Sequence, residues 1–282
     1  MVTLKNNNTV AQISKIGAEL KSIKHNGREI MWQGDPNFWA GTAPIVFPVC
    51  GLLPEGKFVL NNKEYSIGQH GFIRFETFEI ENQSDTSVTL ISKSTPETLK
   101  NYPWEYEFRA IFTLHGNALD VTYDVKNLSD SDMYFQLGSH EGFSCPEGIE
   151  EYDVIFEKNE TLDSWSISGP YLENKTYRVL TDSNVLPLYY SYFAIDALVF
   201  KDIKSRSVTL RNRKTGRSLS LSFPDHNYFI LWTKPNAPYI CIEPWCGTKG
   251  FKDDSFDLTK REGIERLCGG NNFRRTHTIF MD

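Results

Sequence analysis

Long apolar runs are missing from this chain of 282 residues. No stretch approaches the roughly 18 apolar residues that a membrane-spanning helix needs. The first residues, Met1-Val-Thr-Leu-Lys-Asn-Asn-Asn, lack the apolar centre of a secretion signal. A soluble, cytoplasmic protein is therefore the expectation. Cysteine is scarce, with five residues at Cys50, Cys145, Cys241, Cys246 and Cys268. The number is odd, no CxxC pair occurs, and no Cys/His spacing matches a zinc site, so reduced thiols are expected. Positive charge is not in excess. The net charge of −6 argues against nucleic acid or an anionic membrane as partner, since both are bound through basic faces. The Arg-rich segment from Arg206 to Arg217 is the densest local exception and reads as a solvated hairpin. Neither a Pro/Gly/Ser-rich linker nor a repeat of fixed period is visible. This disfavours a propeller or solenoid and gives one domain over residues 1–282.

Helix signals are also few. Thr95-Pro-Glu-Thr-Leu-Lys predicts a short helix capped by Thr95, with Pro96 at its first position and Pro103 beyond its end. A second short helix is expected within Asp257 to Leu267, closed near Gly269-Gly270.

What the chain has instead is a period of two. Tyr106, Phe108, Ala110, Phe112 and Leu114 alternate with more polar neighbours. After the turn signal His115-Gly-Asn, Leu119, Val121, Tyr123 and Val125 do the same. Two such runs across a Gly-Asn turn predict an antiparallel hairpin with one buried face. Further hairpins are expected at Leu20 to Trp32 (turn His25-Asn26-Gly27), Lys57 to Ile67 (turn Asn61-Asn62) and Ser207 to Phe223 (turn Lys214-Thr215-Gly216). The fold class that follows is all-β, a large antiparallel β-sandwich with a few short helices.

Three segments carry residues suited to chemistry. His70 lies in Gly68-Gln-His-Gly-Phe-Ile-Arg74, and His140 in Gly138-Ser-His-Glu-Gly-Phe143. Glycines beside a polar side chain let a ligand approach closely. His25, His115, His226 and His277 read as surface groups. The third segment, Tyr239-Ile-Cys-Ile-Glu-Pro-Trp245, looks like a strand buried on both faces that Pro244 should end. A carboxylate such as Glu243 is costly to bury there unless it is paired or functional, and burial would raise its pKa toward that of a general base.

Together, His70-Gly-Phe-Ile-Arg74, Gly138-Ser-His140-Glu-Gly-Phe143 and Cys241-Ile-Glu243-Pro-Trp245 resemble, in order and spacing, the aldose 1-epimerase (galactose mutarotase) family. The branch called LacX-like is the most similar, with Met31-Trp-Gln-Gly-Asp35, Pro44-Ile-Val-Phe-Pro48 and Gly263-Ile-Glu-Arg-Leu267 as flanking matches. The resemblance implies a cofactor-free enzyme that interconverts the α and β anomers of a free aldose. It implies Glu243 as base at the C1 hydroxyl, His140 as acid at the ring oxygen and His70 as a nearby hydrogen-bonding group. It assigns substrate contacts to Arg74 and Asp196, with Trp39, Phe143 and Trp245 as aromatic candidates. On a strand, His70 and Arg74 would share a face.

The chain departs from that pattern where many relatives have proline after the catalytic histidine. Here Glu141 follows, a carboxylate expected at the site mouth. Leu52 and Leu53 stand where relatives often carry an arginine after Pro48-Val-Cys-Gly51. Other readings of the same residues are a non-catalytic sugar binder and a hexose 6-phosphate epimerase using Lys249 and Lys252. A glycoside hydrolase would pair Glu141 with Glu243, and a His₂Glu metal site would use His70, His140 and Glu243. The sugar-isomerase reading needs no metal and accounts for all three residues.

Overall fold

The computed structural model describes residues 1–282. Its largest element is a nine-stranded antiparallel sheet. In spatial order its strands are Tyr171–Pro187, Tyr152–Ser168, Ser207–Asn212, Ser218–Ser222, Asn272–Met281, Ala118–Asn127, Tyr106–His115, Ser87–Lys93 and Glu79–Gln83. A six-stranded sheet contains Leu198–Lys201, Tyr228–Trp232, Tyr239–Cys246, Leu137–Ser139 and Ile45–Val46, with Glu141–Ser144 also paired to Tyr239–Cys246. Smaller sheets of four, two and two strands flank these. No helix is long and apolar enough to cross a membrane.

The period-two reading holds in detail. Tyr106, Phe108, Ala110, Phe112 and Leu114 are all buried, and their strand pairs with Ala118–Asn127 across the expected turn. The turns at Asn26-Gly27 and Asn61-Asn62 have positive φ at both residues, as tight hairpin turns require. Thr95 caps the helix Pro96–Asn101. The Thr98 N–H donates to Thr95 Oγ1, and the Thr95 N–H donates back to Thr98 Oγ1.

A core of 62 buried residues fills the space between the two large sheets. Phe108, Val121, Phe156 and Ile279 enter it from the nine-stranded side, and Phe229, Leu231, Ile240 and Ile242 from the six-stranded side. Because strand residues alternate, Ile230, Trp232, Cys241, Glu243 and Trp245 must project from the opposite face of the smaller sheet. That face carries the pocket described below.

Three expectations fail for physical reasons. Pro244 does not end its strand, which continues to Cys246. It stands opposite Phe229 on one side, while on the other the pairing skips from Gly138–Trp245 to Glu141–Ile242, so the strand tolerates a residue without an N–H there. The segment Asp257 to Leu267 forms a 3₁₀ turn, Leu258–Lys260, and a short strand, Glu265–Leu267. Gly263 between them takes φ +66°, which no helix continues. Finally, His25, His226 and His277 are buried, not superficial. His25 closes an inward-facing strand position against Thr9 Oγ1 at 2.7 Å, while His226 and His277 face each other with ring centroids 6.1 Å apart.

Candidate active site

The site begins with register. Gly138 stands opposite Trp245 and Glu141 opposite Ile242, so His140 lies directly across from Glu243 on neighbouring segments of one sheet. Directly opposed residues share a face and sit within side-chain reach. His140 Nδ1 is 3.5 Å from Glu243 Oε1, with side-chain exposures of 11% and 1%. Neither His140 Nδ1 nor Glu243 Oε2 has a hydrogen-bond partner. Two ionisable groups left partly unsatisfied at the floor of a pocket are poised for something that enters it.

Burial dominates the electrostatics. It raises the Glu243 pKa well above the ordinary carboxylate value, and the charges of Glu141 and Asp196 raise it further, against Lys249. It lowers His140 to about 4, with Glu141 pulling the other way. His70 is also driven well below the usual imidazole value by burial and by His140, Arg74 and Lys249. Both members of the pair therefore favour their neutral forms. Between the two limits they hold one proton between them.

His70 is delivered by a different device. It sits in a turn at φ +61°, and the next residue, Gly71, takes φ +66°. A Cβ on Gly71 would lie 2.1 Å from the Phe47 carbonyl oxygen, so only glycine lets the turn pack this closely. The Gly51 N–H donates to His70 Nδ1 at 3.2 Å, which leaves Nε2 as the protonated nitrogen. The His70 ring meets His140 edge-on at 5.6 Å and Trp245 at 5.7 Å. Arg74 lies in the 3₁₀ turn Ile73–Phe75, so it does not share a strand face with His70. It still reaches the pocket, where its Nη2 donates to the Gln69 carbonyl at 2.9 Å and its Nε is unpartnered.

The pocket holds about 350 Å³, at the small end of the range for ligand sites. Of the eight residues expected at the site, Trp39, His70, Arg74, His140, Asp196, Glu243 and Trp245 line it. Phe143 does not; it is fully buried in the main core, on the other side of its strand. Glu141 is likewise not at the mouth. Alternation turns it away from His140 and into the space between the sheets, where it meets His277 at 2.8 Å.

Sequence reasoning gave less weight to the walls. Trp39 stacks on His140 at 5.0 Å, and Trp232 meets both rings edge-on at 5.4 Å. The alternation Tyr228, Ile230, Trp232 opposite Trp245, Glu243, Cys241 is the signal that places Trp232 there. Lys249 pairs with Asp196 and packs against Gly51, so a lysine enters the quarter left without arginine at Leu52. Cys241 also offers a sulfur within 4.8 Å of His140 and Glu243. Burial and the charges of Glu243 and Glu141 keep it a thiol, and it packs with Trp32 and Tyr239 as an apolar group.

Residues 1–259 match the family described as aldose 1-epimerase. The plasmid-encoded protein LacX of Lactococcus lactis subsp. lactis is 36% identical over 99% of this chain and 98% of its own length. The chain belongs to the aldose 1-epimerase family. The fold agrees. A galactose mutarotase related enzyme from Lactobacillus acidophilus has a TM-score of 0.94 at 32% identity, covering 100% of this chain and 97% of the other. A galactose mutarotase-like protein from Lactobacillus casei ATCC 334 has a TM-score of 0.95 at 28% identity, with full coverage of both chains. Membership in the aldose 1-epimerase family supports an isomerase acting on a small sugar.

Proposed function

We propose that this chain interconverts the α and β anomers of a free aldose such as galactose or glucose. The observation that carries the reading is the cross-strand pair His140–Glu243, buried at the floor of the pocket. In the tautomer of the pair with the proton on His140, ionised Glu243 removes the proton from the C1 hydroxyl. The freed electron pair forms the C1 carbonyl as the bond from C1 to the ring oxygen breaks, and His140 delivers a proton to that oxygen. Rotation about C1–C2 presents the other carbonyl face. Reclosure returns the ring-oxygen proton to His140 and the Glu243 proton to the new C1 hydroxyl. The reaction consumes nothing, and reclosure returns both groups to their starting proton state.

The surrounding side chains suit a sugar. Asp196 accepts from hydroxyls while its charge is offset by Lys249. Trp39, Trp232 and Trp245 supply flat apolar surfaces for ring faces. Neutral His70, with its Nε2–H free of Gly51, donates toward the oxygens on which charge develops. Arg74 anchors without taking part in proton transfer. Arg74→Ala is thus expected to raise KM several-fold with kcat little changed, as initial rates across galactose concentrations would show; an equal fall in kcat and kcat/KM would put Arg74 in the transition state.

A phosphorylated hexose is the second reading, favoured by Arg74 and Lys234 on the pocket wall, since Arg74 keeps an unpartnered Nε. Polarimetry on freshly dissolved α-D-galactose, α-D-glucose and α-D-glucose 6-phosphate separates the two. Acceleration of the free sugars in proportion to protein concentration is the expected result. Acceleration of the 6-phosphate alone would transfer the proposal to phosphosugars. No acceleration of any of them would leave a sugar binder.

A further inference from the structure

Glu141 and His277 form a buried polar pair between the two large sheets. Glu141 follows His140 in the chain and projects from the opposite face of the same strand. Its Oε1 accepts from His277 Nε2 at 2.8 Å, and the residues are 2% and 0% exposed. Glu141 Oε2 and His277 Nδ1 have no partner. Such a pair is poor value for stability, because two well-packed apolar side chains at this place would serve as well or better. Its position suggests another use, since it stands directly behind the His140–Glu243 pair.

We propose that Glu141, held by His277, is a positioning residue whose negative charge sets the pH window in which His140 and Glu243 share one proton; this rests on the proposed epimerase reading. Glu141 and Asp196 act on both groups, Lys249 on Glu243 and Arg74 on His140, whose ring also meets His70 at 5.6 Å; of these only Glu141 lies outside the pocket, on the core side. On the pocket side Glu243 faces His140, Asp196 and Lys249, with the thiol of Cys241 beside it. On the core side Glu141 faces His277 and the phenol of Tyr123, whose ring is 5.9 Å from His277. His226 lies beyond His277, and Arg275 acts on His226 from the same terminal strand. The sign is the same at both catalytic groups. A negative charge makes protonation easier, so Glu141 raises both His140 and Glu243.

The test is the pH dependence of kcat/KM for wild type and Glu141→Gln, which keeps the shape and removes the charge. Both limbs of the bell are expected to move to lower pH together. The ratio of variant to wild-type rate should then rise as the pH falls and drop on the alkaline side. His277→Gln retains both a donor and the Glu141 charge, so its limbs should stay in place even if its maximal rate falls. Limbs that do not move in Glu141→Gln, or that move apart, overturn the proposal. If Glu141→Gln fails to fold, the double replacement Glu141→Leu with His277→Leu fills the layer with apolar groups and should show the same two shifts. An NMR titration of the His140 ring gives a readout that needs no turnover. In wild type it should titrate near pH 4, and in Glu141→Gln at lower pH. An inactive wild type would end the epimerase reading, whereas an unmoved His140 midpoint would end this one.

Discussion

Replacing Glu243 by glutamine is expected to lower kcat for anomer interconversion by about 10²–10⁴-fold, the usual loss when a general base is removed. The amide has the size of the carboxyl group but cannot take the C1 hydroxyl proton. The fold should survive and gain stability. Glu243 is 1% exposed with Oε2 unpartnered, and burial raises its pKa, so at neutral pH folding must either bury its charge or take up a proton, a cost the amide does not carry. Thermal unfolding at neutral pH should therefore give a Tm for Glu243→Gln equal to or above wild type. A variant that loses activity because it unfolds would count against the assignment, as would one that keeps wild-type turnover. The combination of lost activity and retained or higher Tm is the mark of a group kept for chemistry at the expense of stability.

His140→Ala is expected to cost about as much, roughly 10²–10⁴-fold in kcat, by removing the group that exchanges a proton with the ring oxygen. Two further features distinguish this from a packing defect. The deletion leaves a gap against the Trp39 face, which stacks on the imidazole at 5.0 Å. Free imidazole added at millimolar concentration can occupy that gap and should restore part of the rate, with a pH dependence of its own. The double variant with Glu243→Gln should be little slower than either single one, since ring opening needs both proton transfers and the two residues fail as a unit. Losses that multiply in the double variant would mean two independent roles. Absence of rescue together with a collapsed Tm would assign His140 to structure.

Much of this arrangement was legible in the sequence because β-structure and its turns have local signatures. The hairpin from Tyr106 to Asn127 could be read from alternation and a Gly-Asn turn alone, and every inward position was correctly placed. His70, His140 and Glu243 stood out by residue type and by the glycines or proline beside them. What stayed hidden depended on which strands become neighbours. Nothing local says that Gly138 pairs with Trp245, and only that pairing brings His140 across from Glu243. The same register decides that Glu141 turns inward to His277, a residue at the far end of the chain. Phe143 was misassigned for the same reason: three residues separate it from His140, an odd number, so it faces the core. Pro244 was misread because the rule that proline ends a strand assumes an unbroken partner, and here the partner is interrupted at His140.

The central claim is that one buried carboxyl–imidazole pair opens and recloses a sugar ring. The most direct measurement is NMR exchange spectroscopy on galactose already at anomeric equilibrium, where net change is absent and only interconversion is seen. Wild type should give exchange cross-peaks between the α and β anomeric protons above the spontaneous level, and no deuterium should enter at C2 in heavy water. The variant carrying both His140→Ala and Glu243→Gln should give none above that level. Enzyme-dependent cross-peaks of equal strength in that variant, or none in wild type, would contradict the account.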